Sequence, residues 1–176
     1  ERTFYANRRG NSSGVKSGWK NREKYRENSH SAPAVRTYKK EAPREEYLLV
    51  DGYNIIFAWD ELKELAEQTI DGARGKLLDI LCNYQGMKKC RLIAVFDAYR
   101  VQGHVTECLD YHNIQVVFTK EAETADQYIE KFAHENGRKY DVTVATSDHL
   151  EQIIIHGQGC RLISARELKE EIRRLS

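Results

Sequence analysis

The sequence predicts an α/β fold: a three-layer sandwich around a central, mainly parallel sheet, preceded by a flexible basic arm. Three observations carry this. Short Val- and Ile-rich runs with little polar alternation read as strands buried on both faces. Amphipathic stretches separate them, so the order is β, α repeated, which folds as a doubly wound sheet with right-handed crossovers. The first 46 residues differ in composition from everything that follows.

Residues 1–46 hold 12 Lys or Arg against 6 Asp or Glu, a net of +6, while residues 47–176 hold 16 against 21, a net of −5. The first segment is rich in Asn, Ser and Gly and contains both prolines, Pro33 and Pro43. Without a sustained apolar period it cannot bury enough surface to offset chain entropy, and it reads as a low-complexity arm or linker. Phe4, Tyr5, Trp19, Tyr25 and Tyr38 are interleaved with Arg8, Arg9, Lys16, Lys20, Arg22, Lys24 and Arg26. That composition suits stacking on single-stranded RNA and pairing with its phosphates; a solvated linker is the alternative. The only methionine is Met87, so the chain reads as a piece of a longer protein.

From residue 47 the pattern is regular. Strands are predicted over 47–50, 91–96, 114–118, 142–145 and 160–163. Between the first two, Ala73, Leu77, Leu81 and Tyr84 fall on one helical face. A second helix carries Ala125, Ile129, Phe132 and Ala133, opened by Thr124 and Gln127 at capping-box spacing. A third carries Leu150, Ile153 and Ile154. Ser164 and Glu167 form another capping box, opening a helix with the stripe Leu168, Ile172 and Leu175.

No apolar run reaches the length of a membrane span and no signal peptide opens the chain, so a cytoplasmic protein without membrane partners is expected. Cys82, Cys90, Cys108 and Cys160 form no C-x-x-C pair, and three lie in or beside apolar runs. They read as reduced, mostly buried small hydrophobes rather than zinc ligands.

Ligands of a doubly wound sheet bind beyond the carboxyl ends of its strands, where the strand order reverses. Acids fall there. Asp51 follows the first strand in "YLLVDGYNII", Asp97 the second in "LIAVFDAYR", and Asp148 the fourth in "VTVATSD". Asp126 lies in the first turn of the helix opened by Thr124. Singly, Asp51 and Asp97 read as turn formers, Asp126 as a dipole-compensating residue and Asp148 as a helix cap with Glu151 three residues on. Together they crowd one edge with carboxylates, which is unfavourable unless a cation or shared protons occupy it.

Oxygen donors without sulfur or clustered imidazole suit Mg²⁺ or Mn²⁺, and such ions support phosphodiester hydrolysis by stabilising the attacking and leaving oxygens. Asn54 and Ser147 can orient a water or a phosphate oxygen without adding charge. Glu123 is a candidate additional acid. The P-loop, dinucleotide-binding and nucleophile-elbow motifs are absent.

In order and spacing, "LLVDGYNII", "VFDAYR", "TKEAETADQYIE" and "VATSD" resemble the YacP-type NYN domains, relatives of the PIN-domain nucleases. The resemblance covers residues 47–176. It implies a PIN-like, Rossmann-like fold and a metal-dependent endoribonuclease, with bacterial members acting on mRNA in translating ribosomes. Asp51, Asn54, Asp97, Asp126 and Asp148 occupy the family's acidic-site positions and Ser147 matches its neighbour. Separately, "ERTF" resembles the end of ribosomal-protection-type translational GTPases, which implies a domain fused to the C-terminus of a translation-associated protein.

Arg100 and Lys120 flank the acids and are candidate phosphate contacts or solvated charges. His104, His112, His134, His149 and His156 show no ligand spacing, and only His149 adjoins the predicted site. Two function classes follow: the ribonuclease, and a catalytically inactive RNA- or ribosome-binding module. The complete set of acids favours the first, because a binding module gains nothing from anions where RNA must approach.

Overall fold

A computed structural model describes residues 41–97, 107–120 and 122–176; the basic arm before residue 41 and Arg100 lie outside these. Residues 42–176 form one compact unit. Its elements run β1 (Glu46–Asp51), α1 (Gly52–Ala58), α2 (Asp60–Gln68), α3 (Ile70–Lys88), β2 (Arg91–Phe96), β3 (Glu107–Tyr111) and β4 (Ile114–Phe118). They continue with α4 (Ala125–Asn136), β5 (Asp141–Ala145), α5 (His149–Gly157), β6 (Arg161–Ile163) and α6 (Ala165–Leu175).

The six strands form one sheet in the order β3-β4-β2-β1-β5-β6. Every pairing is parallel except β3 with β4. The chain moves outward from β1 through β2 to β4, then crosses back to β5 on the other side of β1. The strand order therefore reverses at β1, with β2 and β5 as its neighbours.

Alternation along the central strands builds the layers. Leu48 and Val50 of β1 join Leu92, Ala94 and Phe96 of β2 in a core shared with α1, α3 and α6. Leu49, Ile93, Val95, Val142 and Val144 face the other way, onto Ala125, Ile129 and Ala133 of α4 and Ile155 of α5. Both capping boxes are complete, Thr124 with Gln127 and Ser164 with Glu167.

The structure departs from the sequence reading in several places. β3, an edge strand, and the helices α1 and α2 were not expected. On α5 the expected stripe is displaced: Ile155 is fully buried while Ile153 is 70% exposed and Ile154 is also exposed. Three consecutive isoleucines give no period of their own, so the sheet chooses which one faces it. Leu175, in the last turn of α6, is exposed too. All four cysteines are free, but only Cys90 and Cys160 are buried; Cys82 is half-buried and Cys108 is exposed on β3.

Candidate active site

β1 ends on Asp51 and the chain passes directly into α1. Asp51 keeps extended backbone angles and its Oδ1 accepts the Asn54 N–H at 3.4 Å, so this carboxylate, only 6% exposed, caps the helix that follows. Gly52 is already helical. A Cβ at this position would stand 2.2 Å from Cε1 of Phe96, the last residue of β2, so glycine lets α1 begin against that ring. What reads in the sequence as a turn is a helix cap followed by a close approach.

Asn54 looks across the sheet edge. Its Oδ1 accepts the Ser147 N–H at 2.7 Å, which turns the amide oxygen toward the loop after β5 and makes the Nδ2 hydrogens the donors the side chain can offer. Ser147 Oγ accepts the N–H of Ala165, the first residue of α6, at 3.2 Å. The buried indole of Trp59 donates to the Ala165 carbonyl at 2.8 Å. One chain of hydrogen bonds thus joins α1, the β5 loop and the start of α6.

The loop itself is pinned by Thr146, which is fully buried. Its Oγ1 accepts the Asp148 N–H at 3.2 Å and its carbonyl accepts Nε2 of Gln152 at 2.9 Å. Asp148 is half-buried and precedes α5, its carbonyl accepting the Gln152 N–H at 2.9 Å.

Asp97 follows β2, and its Oδ1 accepts the N–H of Ala125, the first residue of α4. This bond ties the start of α4 to the end of β2 and brings Asp126, in the first turn of α4, to the same edge. A helix start is a favourable place for both carboxylates, because its N–H groups carry partial positive charge.

Asp51, Asp97 and Asp148 therefore sit at the ends of three adjacent strands, at the point of order reversal, with Asp126 linked through Asp97. The crowding expected from sequence is looser than that. Among the described residues, no three His, Cys, Asp or Glu side chains stand close enough to hold an ion by themselves. Asp51 and Asp97 each turn one oxygen to a backbone N–H. The donor set nevertheless fits a hard cation. It consists of carboxylate, amide and hydroxyl oxygens, and Mg²⁺ is ordinarily held by one or two carboxylates together with waters and substrate phosphates.

Lys120 is exposed just after β4, and the Glu123 N–H returns to its carbonyl at 3.0 Å. Glu123 is half-buried; burial pushes the Tyr128 phenol on α4 up, and the Glu123 charge adds to that shift. His149 is exposed at the start of α5. Sequence reasoning missed Trp59, Thr146 and Arg74: Trp59 meets Ala165 across 106 positions and Arg74 meets Tyr53 across 21, while Thr146 acts through the short turn it makes with Asp148.

The model of the YacP-like NYN domain matches residues 48–176. The chain belongs to the YacP-like NYN domain family. NYN domains are PIN-like nucleases in kind, and the doubly wound sheet is the fold they share. The uncharacterised protein YacP of Bacillus subtilis is 46% identical over 126 residues, covering 71% of this chain and 74% of that protein. Crystal structures of Rae1 (YacP) from Bacillus subtilis match at 45% identity and a TM-score of 0.63, over 73% of this chain and 74% of that one. A point mutant of Rae1 matches at 43% identity and a TM-score of 0.64, over 74% and 76%. At such identity the NYN relatives share fold and chain path with this protein. Among the described residues, no helix is long and apolar enough to cross a membrane.

Proposed function

We propose that this NYN domain is a metal-dependent endoribonuclease that hydrolyses phosphodiester bonds of RNA, with mRNA in a ribosome-associated setting as its substrate. The observation that supports this best is that three adjacent parallel strands, β2, β1 and β5, each run out into an aspartate at the point where strand order reverses.

Asp51, Asp97, Asp126 and Asp148 would hold Mg²⁺ or Mn²⁺, with Glu123 as a candidate further acid. A bound divalent cation would neutralise charge on the phosphate and lower the pKa of a coordinated water. The residues of the chain do the rest. Asn54, with its oxygen engaged by Ser147, presents N–H donors to a phosphate oxygen. Ser147, whose Oγ accepts from Ala165, keeps its own hydroxyl hydrogen to donate. Thr146 and Gln152 hold the Asp148 turn still. His149 has no part in the proposal, because a metal can ionise water without a histidine. Lys120, Arg100 and the basic residues of the arm, Arg8, Arg9, Lys16, Lys20, Arg22, Lys24 and Arg26, would counter the phosphates that the acidic domain repels.

The test is incubation of the chain with end-labelled single-stranded RNA in Mg²⁺ or Mn²⁺, with and without chelator. Internal cleavage that stops with chelator and returns with excess metal supports the proposal. RNA that is bound but never cut, in either metal, would make this an RNA-binding module instead.

A further inference from the structure

Arg74 lies in the second turn of α3 with its side chain only 14% exposed. Its guanidinium carbon stands 5.7 Å from the centroid of the Phe118 ring, and Nη1 donates to the Tyr53 hydroxyl at 3.1 Å. These neighbours fix its place. Phe118 is the last residue of β4; Tyr53 is the second of α1, next to Asn54 and two beyond Asp51. The cation is therefore held at the carboxyl edge of the sheet, where the aspartates are. Phe96, the residue before Asp97, stacks on Phe118 with centroids 5.7 Å apart, and Tyr53 meets Phe96 edge-on at 5.1 Å.

The pairing of this cation is lopsided. Among the described residues its one carboxylate partner is Asp71, whose side chain is 78% exposed. Among the described residues two acceptors, Tyr53 and Asp71, face a group that carries five N–H donors. A mostly desolvated guanidinium calls for fuller pairing, and an ion pair with so exposed a partner contributes little stability. A guanidinium held on the Phe118 ring, with Nη1 on Tyr53 and Nη2 on a carboxylate exposed enough to swing into water, suits a phosphate oxygen as the alternative acceptor at Nη2.

We infer that Arg74 binds a backbone phosphate of the RNA next to the scissile one, and that Asp71 is the counter-ion this phosphate displaces. The substrate class rests on the nuclease reading above; the phosphate site rests on Arg74 itself. A clamp between α3 and α1 would use the same contacts but would give different binding energetics.

The experiment measures fluorescence anisotropy of a short labelled single-stranded RNA on the full chain, in chelator so that binding is read without cleavage. Asp71→Asn should tighten binding by about threefold. Arg74→Gln should weaken it by about tenfold. It should also lower the slope of log affinity against log salt by about 0.7. The double variant should bind as Arg74→Gln alone, because Asp71 has then nothing to compete for. Equal gains from Asp71→Asn with and without Arg74, or unchanged affinity in a folded Arg74→Gln protein, would reduce Arg74 to a clamp. Should Arg74→Gln fail to fold, Arg74→Lys keeps the charge but not the fork: weaker binding at an unchanged salt slope supports the site, and unchanged affinity overturns it. Wild-type binding that follows this pattern without metal-dependent cleavage would sink the nuclease reading and leave the phosphate site standing. Metal-dependent cleavage with all variants binding alike would do the reverse.

Discussion

Gly52→Ala adds one methyl group at the most constrained point of the fold. The new Cβ would lie 2.2, 2.5 and 2.6 Å from Cε1, Cδ1 and Cζ of Phe96. Unstrained carbon contacts are about 3.5–4.0 Å, so ring or helix must yield by about 1 Å or more. The ring has nowhere to go: Phe96 is fully buried, stacked on Phe118 and met edge-on by Tyr53. Overpacking of this kind costs about 1–3 kcal/mol, and three contacts on an immobile ring put it at the upper end. Alanine recovers under about 1 kcal/mol of backbone entropy, leaving a net loss of about 2 kcal/mol. For a domain of this size that lowers Tm by roughly 5–10 °C. Differential scanning calorimetry of wild type and variant reads it directly. Adding Phe96→Leu should restore part of the loss, so the two substitutions should be less than additive. A Gly52→Ala protein that melts within about 2 °C of wild type would refute the close-approach account and return Gly52 to an ordinary turn.

Glu171 gives a pH test. Burial raises its pKa, but hydrogen bonds from Lys88, at 3.0 Å, and Tyr84 outweigh burial and hold the carboxyl below its ordinary 4.5. A depressed folded pKa stabilises above the unfolded value and is lost as pH falls, so the stability gap between wild type and Glu171→Gln should narrow below pH 4.5 in urea titrations; a gap that is constant with pH would contradict it. Deleting residues 1–46 should weaken RNA binding and flatten its salt dependence by about 0.7 in slope per lost phosphate contact. An unchanged slope would make the arm a linker only.

Strands buried on both faces declared themselves as Val and Ile runs, and the capping boxes at Thr124 and Ser164 marked two helix starts to the residue. β3 did not, because "ECLDY" is an exposed edge strand whose pairing partner, not its composition, makes it a strand. α1 was hidden since Asp51, Gly52 and Asn54 read as a turn, and α2 was passed over although Leu62, Leu65 and Ala66 fall on one helical face against the core. The strand-end acids were legible because a doubly wound sheet fixes where its carboxyl edge lies. How they are held was not: Asn54 meets Ser147 across 93 positions, and Asp97 meets Ala125 across 28. Arg74 carries no signal in the sequence, because Tyr53 and Phe118, which enclose it, come from other elements.

The most direct measurement is single-turnover RNA cleavage by wild type, Asp51→Asn, Asp97→Asn and Asp148→Asn in Mn²⁺ at saturating RNA, with melting curves on each protein. Asparagine keeps an oxygen for the Asn54 and Ala125 N–H groups, so the folds should hold. Loss of a residue that merely orients a metal ligand costs about 10–100-fold, so loss of a ligand should cost at least about 100-fold. A folded variant that still cuts at the wild-type rate would show that the three strand-end aspartates are caps and turns, and that the chemistry lies elsewhere.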